Sequence, residues 1–132
     1  MKLLTRTFWV ALIMSFVVAC TGQPVQQRQM TPLAEFGLSI NQVEEAIQTG
    51  ARAKGWRIVS IGNGEAVLDV YVRSHYAKVS VEYSATGYSI NYLDSENLDY
   101  NARKGTIHRS YNRWVSYLDT EIRNAAFRAS AR

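Results

Sequence analysis

The sequence predicts an α+β fold, a two-layer sandwich with two helices on one face of a four-stranded antiparallel sheet, in the order αββββα. Three observations carry this. A capped amphipathic stretch lies at 39–55, four short alternating segments fill 56–93, and a second apolar stripe runs through 111–125.

The first helix is marked at both ends. Ser39 with Gln42 three residues later forms a capping box, and Leu38 and Val43 are placed as a hydrophobic staple. Ile40, Val43, Ile47 and Ala51 follow one face, with Ala46 beside it, and Gly55 supplies the stop. Glu44 and Glu45 early, and Arg52 and Lys54 late, suit the helix dipole.

The strands follow from period-two patterning. Residues 56–61 (WRIVSI) enter Gly62-Asn63-Gly64, a hairpin signal. In 66–73, Ala66, Leu68, Val70 and Val72 share a face; in 77–83, Ala77, Val79, Val81 and Tyr83 do; in 88–93, Tyr88, Ile90 and Tyr92 do. The expected first turn has three residues, with Gly64 as its left-handed bulge residue. Trp56 and Ile58 then point inward and Arg57 stands opposite Asp69.

Residues 94–106 read as a polar loop. Tyr111, Trp114, Val115, Leu118, Ile122 and Ala125 then form the stripe of a helix starting near His108. The domain is expected over 38–127, with a frayed end at 128–132.

The N-terminus reads as a targeting segment. Lys2 and Arg6 precede an apolar run from Phe8 to Ala19, too short to span a bilayer of about 30 Å. The run ends in Val17-Val18-Ala19-Cys20, which resembles the lipobox of bacterial lipoproteins. The resemblance implies a signal peptide over 1–19, removed before Cys20, with Cys20 as the lipidation site carrying acyl chains such as palmitate. Thr21 in place of Asp implies, by that family's sorting rule, a lipid anchor in the outer membrane of a bacterial cell, facing the periplasm. Two or more acyl chains give lasting attachment. Cys20 is the only cysteine, which excludes an internal disulfide and any Cys-based zinc site.

Residues 20–37 have linker composition, with four Gln and both prolines, and read as a lipidated flexible tether. A seventeen-residue coil would span on the order of 20–25 Å. The chain of 132 residues carries a net charge of +4, and removal of 1–19 leaves +2. That charge is uneven. Residues 20–100 hold six basic and nine acidic groups, and 101–132 hold seven and two. A positive end is expected from Arg103, Lys104, Arg109, Arg113, Arg123 and Arg128. Its expected partner is anionic lipid or lipopolysaccharide phosphate, bound weakly and salt-sensitively; an exported chain meets no nucleic acid.

No catalytic constellation stands out. His75 falls at a strand turn and His108 at a helix start, outside any nucleophile or H-E-x-x-H motif. Asp69 and Glu82 share a face with Arg57, Arg73 and Lys78, as on a solvated salt-bridged surface. No cofactor or metal is expected. The stretch from Tyr92 to Leu118 is similar to a signature of small uncharacterised proteobacterial lipoproteins, a similarity spanning roughly 38–125 with the preceding helix and strands, which implies a periplasm-facing domain without an established activity.

Within that stretch Asp94, Ser95, Asn97, His108 and Asn112 are expected to satisfy the loop backbone and cap the helix, the alternative being that they converge where the loop meets the helix start. Arg109 and Arg113 there add to a helix N-terminus that attracts anions. Exposed Tyr beside Arg is the composition of interaction hot spots. The candidate partner-binding residues are therefore Tyr71, Tyr76, Tyr100, His108, Arg109, Asn112 and Arg113. The expected function is a non-enzymatic binding or assembly module that contacts an envelope protein. The alternative is a small-ligand binder or enzyme using a polar site around His108.

Overall fold

The computed structural model describes residues 22–27 and 29–132, so the leader and Cys20 lie outside the described residues. The fold is α+β. Ten elements follow in order: β1 (Gln23–Pro24), β2 (Thr31–Pro32), a 3₁₀ turn (Ala34–Phe36), α1 (Ile40–Ala53), β3 (Arg57–Gly62), β4 (Glu65–Val72), β5 (His75–Ser84), β6 (Gly87–Glu96), β7 (Thr106–Ile107) and α2 (Arg109–Ser130).

The helix start forms as the sequence dictates. Ser39 Oγ accepts from the Gln42 amide at 3.2 Å, and Gln42 Oε1 accepts from the Ser39 amide at 2.9 Å. Leu38 and Val43 are both buried. Gly55, at φ +76°, ends α1 with the paired bonds of a Schellman motif, Trp56 N–H to Ala51 O and Gly55 N–H to Arg52 O. Ile40, expected on the buried face, is 46% exposed; the interior takes Val43, Ala46, Ile47, Gly50 and Ala51.

Four strands form the expected meander, but the large sheet has five, in the order β2-β6-β5-β4-β3, and β1 pairs with β7 in a second, two-stranded sheet. The strand count is therefore corrected. Of the three additional strands, β1 and β2 come from the segment expected as flexible tether and β7 from the end of the polar loop. Gln23 and Pro24 pair with Ile107 and Thr106, and Thr31 and Pro32 pair with Tyr88 and Gly87. Leu33 is fully buried and Phe36 packs on the core, which holds the segment down despite its polar composition. Both prolines sit in two-residue edge strands, where a missing N–H costs little.

The first hairpin also differs from expectation. Gly62 pairs with Glu65 across a two-residue turn, Asn63 and Gly64 both having positive φ, as a type I′ turn requires. The extra residue is Val59, bulged between Ile58 and Ser60. The side-chain outcome is the one expected: Arg57 faces Asp69, and Trp56 is 3% exposed. A bulge gives up about one ladder hydrogen bond, ~1 kcal/mol. Without it Trp56 would face water and Arg57 the core. Burying an aromatic ring contributes on the order of 2 kcal/mol, and Arg57 keeps its ion pair, so the bulged register wins.

Both helices cover the inner face lined by Leu68, Val70, Val79, Val81, Tyr88 and Ile90. They cross at Gly50, where a Cβ would lie 2.7 Å from the Ile122 backbone nitrogen. Residues 128–130, expected to fray, remain helical, and the Phe127 ring lies 6.1 Å from that of Phe36.

Candidate functional site

Among the described residues no helix covers the outer face of the sheet. Across it runs a row of alternating charge, Arg57 opposite Asp69, Asp69 opposite Lys78, and Lys78 opposite Asp94. Arg57 grips Asp69 in a two-point ion pair, Nε to Oδ1 and Nη2 to Oδ2, each at 2.8 Å. The Asp69 hydrogen bond and charge raise the guanidinium pKa further. Asp69 is 5% exposed although it points outward, because Arg57 and Tyr76 cover it, and Tyr76 Oη donates to Oδ2 at 3.3 Å. Burial, then the Asp69 charge, hold the Tyr76 phenol protonated above its ordinary range.

Tyr71 completes this group. Its ring centroid is 4.6 Å from that of Tyr76, and the Arg57 guanidinium lies 5.1 Å over it. With 60% of its surface exposed, Tyr71 is an apolar plate held in place on a solvent face. Arg57 thus locks two aromatic rings and one buried carboxylate into a single unit. The sequence analysis singled out both tyrosines; Arg57 entered only as the partner of Asp69. The signal available was the register, which puts Arg57, Asp69 and Tyr71 on neighbouring outward positions.

Tyr100 is elsewhere. It stacks on Tyr92 at 4.2 Å, and Tyr92 meets Tyr111 edge-on at 5.6 Å. Burial raises the pKa of both Tyr92 and Tyr111. This tyrosine ladder runs from the core to the loop surface, and its outer rung is 42% exposed.

The loop–helix corner does not assemble a polar site. His108 is the N-cap of α2, its Nδ1 accepting from the Ser110 amide at 3.1 Å, with its ring stacked 6.2 Å from His75. Asn97 donates to Ser74 O at 2.8 Å, Asp94 binds the Ser95 amide, and Ser95 Oγ pairs with Tyr92 Oη. Asn112 is 6% exposed. It accepts from the Gln26 amide at 3.1 Å and donates to Pro24 O at 2.9 Å, so it clamps the N-terminal segment. Arg109 and Arg113 are exposed beside it. They line, with Gln23 and Gln26, a shallow open depression that His108 does not reach.

Among the described residues no group of three His, Cys, Asp or Glu side chains is arranged to hold a metal. Among the described residues, too, no helix is long and apolar enough to cross a membrane. Comparison with family models, curated proteins and solved structures finds no match to this chain.

Proposed function

We propose that this chain is a lipid-anchored protein of the bacterial outer membrane that acts in the periplasm as a non-enzymatic binding or assembly module, with the outer sheet face as its partner surface. The reading rests on one observation, the Arg57–Tyr71–Tyr76 unit on the uncovered face of the sheet. Rigid aromatic area beside an arginine is what a protein partner desolvates at low entropic cost. The Val17-Val18-Ala19-Cys20 sequence supports the anchor. The alternative, a ligand or catalytic site around His108, gains no support from a ring whose Nδ1 is used in capping.

The test is photo-crosslinking in growing cells from a benzophenone amino acid placed at Tyr71 or, as control, at Glu121 on α2. A single discrete envelope-protein adduct from position 71, absent from 121 and weakened by Arg57→Ala, is expected. Equal labelling from both positions overturns the assignment of this face. Processing is tested separately by Cys20→Ala, which should abolish acyl labelling and leave precursor.

A further inference from the structure

The point at which the chain enters the domain fixes more than its attachment. From Gly22 onward the segment is docked: Gly22 lies against Thr106, Gln23 pairs with Ile107, and the Val25 amide donates to Gly105 O at 2.9 Å. Gly22 is the second residue after Cys20, with only Thr21 between them. A chain of that length reaches at most about 7 Å. β1 runs antiparallel to β7, so Gly22 lies at the end of the pair where β7 leads into α2 and its Arg109.

Four exposed basic side chains lie along the β1–β7 edge, two at each end. Arg109 and Arg113 flank the Gln23 end of β1, and Arg103 and Lys104 stand on the turn that meets Val25. Over 97–117 the only carboxylate is Asp99. The 22-residue helix α2 begins at Arg109, within this patch, and its N-terminus adds partial positive charge there.

We propose that this basic corner is the membrane-facing surface of the domain, resting on the anionic phospholipid headgroups of the leaflet that holds its acyl chains. The inference rests on the lipoprotein reading. The reach of two residues is comparable to the Debye length of ~8 Å at 0.15 M salt, so these charges stay within range of the surface potential, though salt reduces it. The domain is then oriented, not freely floating. The strand ends at Glu82 lie on the order of 20 Å further out along β5, and the outer sheet face stands to the side, open to a partner.

The test uses the full acylated chain in vesicles of phosphatidylcholine with or without phosphatidylglycerol, with the acyl groups first verified by mass spectrometry of the mature N-terminus. A thiol-reactive fluorophore is placed through Ala102→Cys at the corner or Glu82→Cys at the far end, the Cys20 sulfur being blocked by lipid. A nitroxide on the lipid headgroup quenches by proximity. The label at 102 should be quenched several-fold more than the label at 82 in anionic vesicles. That contrast should shrink in 1 M salt, and in the combined variant R103Q/K104Q/R109Q/R113Q, which must still float with the vesicles. Equal quenching at both positions in an acylated chain, or a contrast untouched by salt and by the variant, overturns the orientation while leaving the anchor standing. An unacylated mature chain overturns both.

Discussion

Tyr88 on β6 donates its phenolic hydrogen to Asp119 on α2 at 2.7 Å, in the interior, with the Asp119 backbone oxygen a second acceptor at 3.1 Å. Thr31 Oγ1 donates to the same carboxylate at 3.3 Å. One carboxylate therefore ties together the sheet, the long helix and the N-terminal edge strand. Asp119→Ala leaves the Tyr88 phenol only the longer bond to the backbone oxygen and takes the acceptor from Thr31, and should cost about 1–2 kcal/mol, whereas Asp119→Asn keeps a side-chain acceptor and should cost less. Urea midpoints at neutral pH distinguish the two. Equal losses would mean that the carbonyl acceptor does not matter.

Gly50→Ala sets two effects against each other. Alanine favours a helix over glycine by about 1 kcal/mol. Its Cβ would meet backbone of α2 at 2.7–2.8 Å, and backbone yields only if the helices separate. Overpacking of this kind costs about 1–3 kcal/mol. Net destabilisation is expected in thermal unfolding, and a stabilised variant would show that the two helices pack further apart than described.

Alkaline pH should weaken the fold steeply. Burial, reinforced by the hydrogen bond to Glu44, pushes the Tyr83 phenol up to about 12. Burial also raises Tyr88 and Tyr111 strongly. A folded pKa above the unfolded value of about 10 means that the unfolded chain loses protons first. The stability from these groups is complete below pH 10 and falls as pH rises beyond it. Each phenol contributes about 1.4 kcal/mol per pH unit between its unfolded and folded values. Denaturant midpoints between pH 8 and 12 should show the fall, and Tyr88→Phe should flatten it.

Asn112→Ala removes the side chain that accepts from Gln26 and donates to Pro24. The expected loss is about 1–3 kcal/mol, because buried backbone groups lose their partner. Hydrogen exchange should show it locally, with the amides of Gln26 and Val25 exchanging faster while β4 and β5 keep their protection. Unchanged exchange at Gln26 would show that β1 stays docked without the clamp.

Much of this fold is legible in the sequence, because local rules and burial agree. The Ser39 capping box, the Gly55 stop and the alternation in β4 and β5 each translate directly into structure. What the sequence hides is interaction at long range. Residues 22–36 are polar and read as tether, yet Leu33 and Phe36 anchor them and two prolines tolerate edge pairing. Asp119 sits among the apolar positions of α2, a conspicuous place for a carboxylate, but only the fold supplies Tyr88 as the reason. The extra residue of the first hairpin moved from Gly64 to Val59, since either site gives Trp56 the same burial. At the candidate site, Tyr71 and Tyr76 could be found from exposure patterning, while the separation of Tyr100 and the clamping role of Asn112 required the tertiary structure.

The pairing of β1 sets a timetable for synthesis. Gln26 meets Asn112 across 86 positions of sequence, so the first segment of the domain to be made is among the last to be locked. Closing so long a loop is slow compared with forming the β3–β4 and β4–β5 hairpins. Until α2 has emerged, the segment around Pro24 lacks the Asn112 side chain that clamps it. Once α2 is in place, Asn112 holds that segment through Gln26 and Pro24. Completion of the C-terminal helix thus acts as a clock for closing the N-terminal end of the domain.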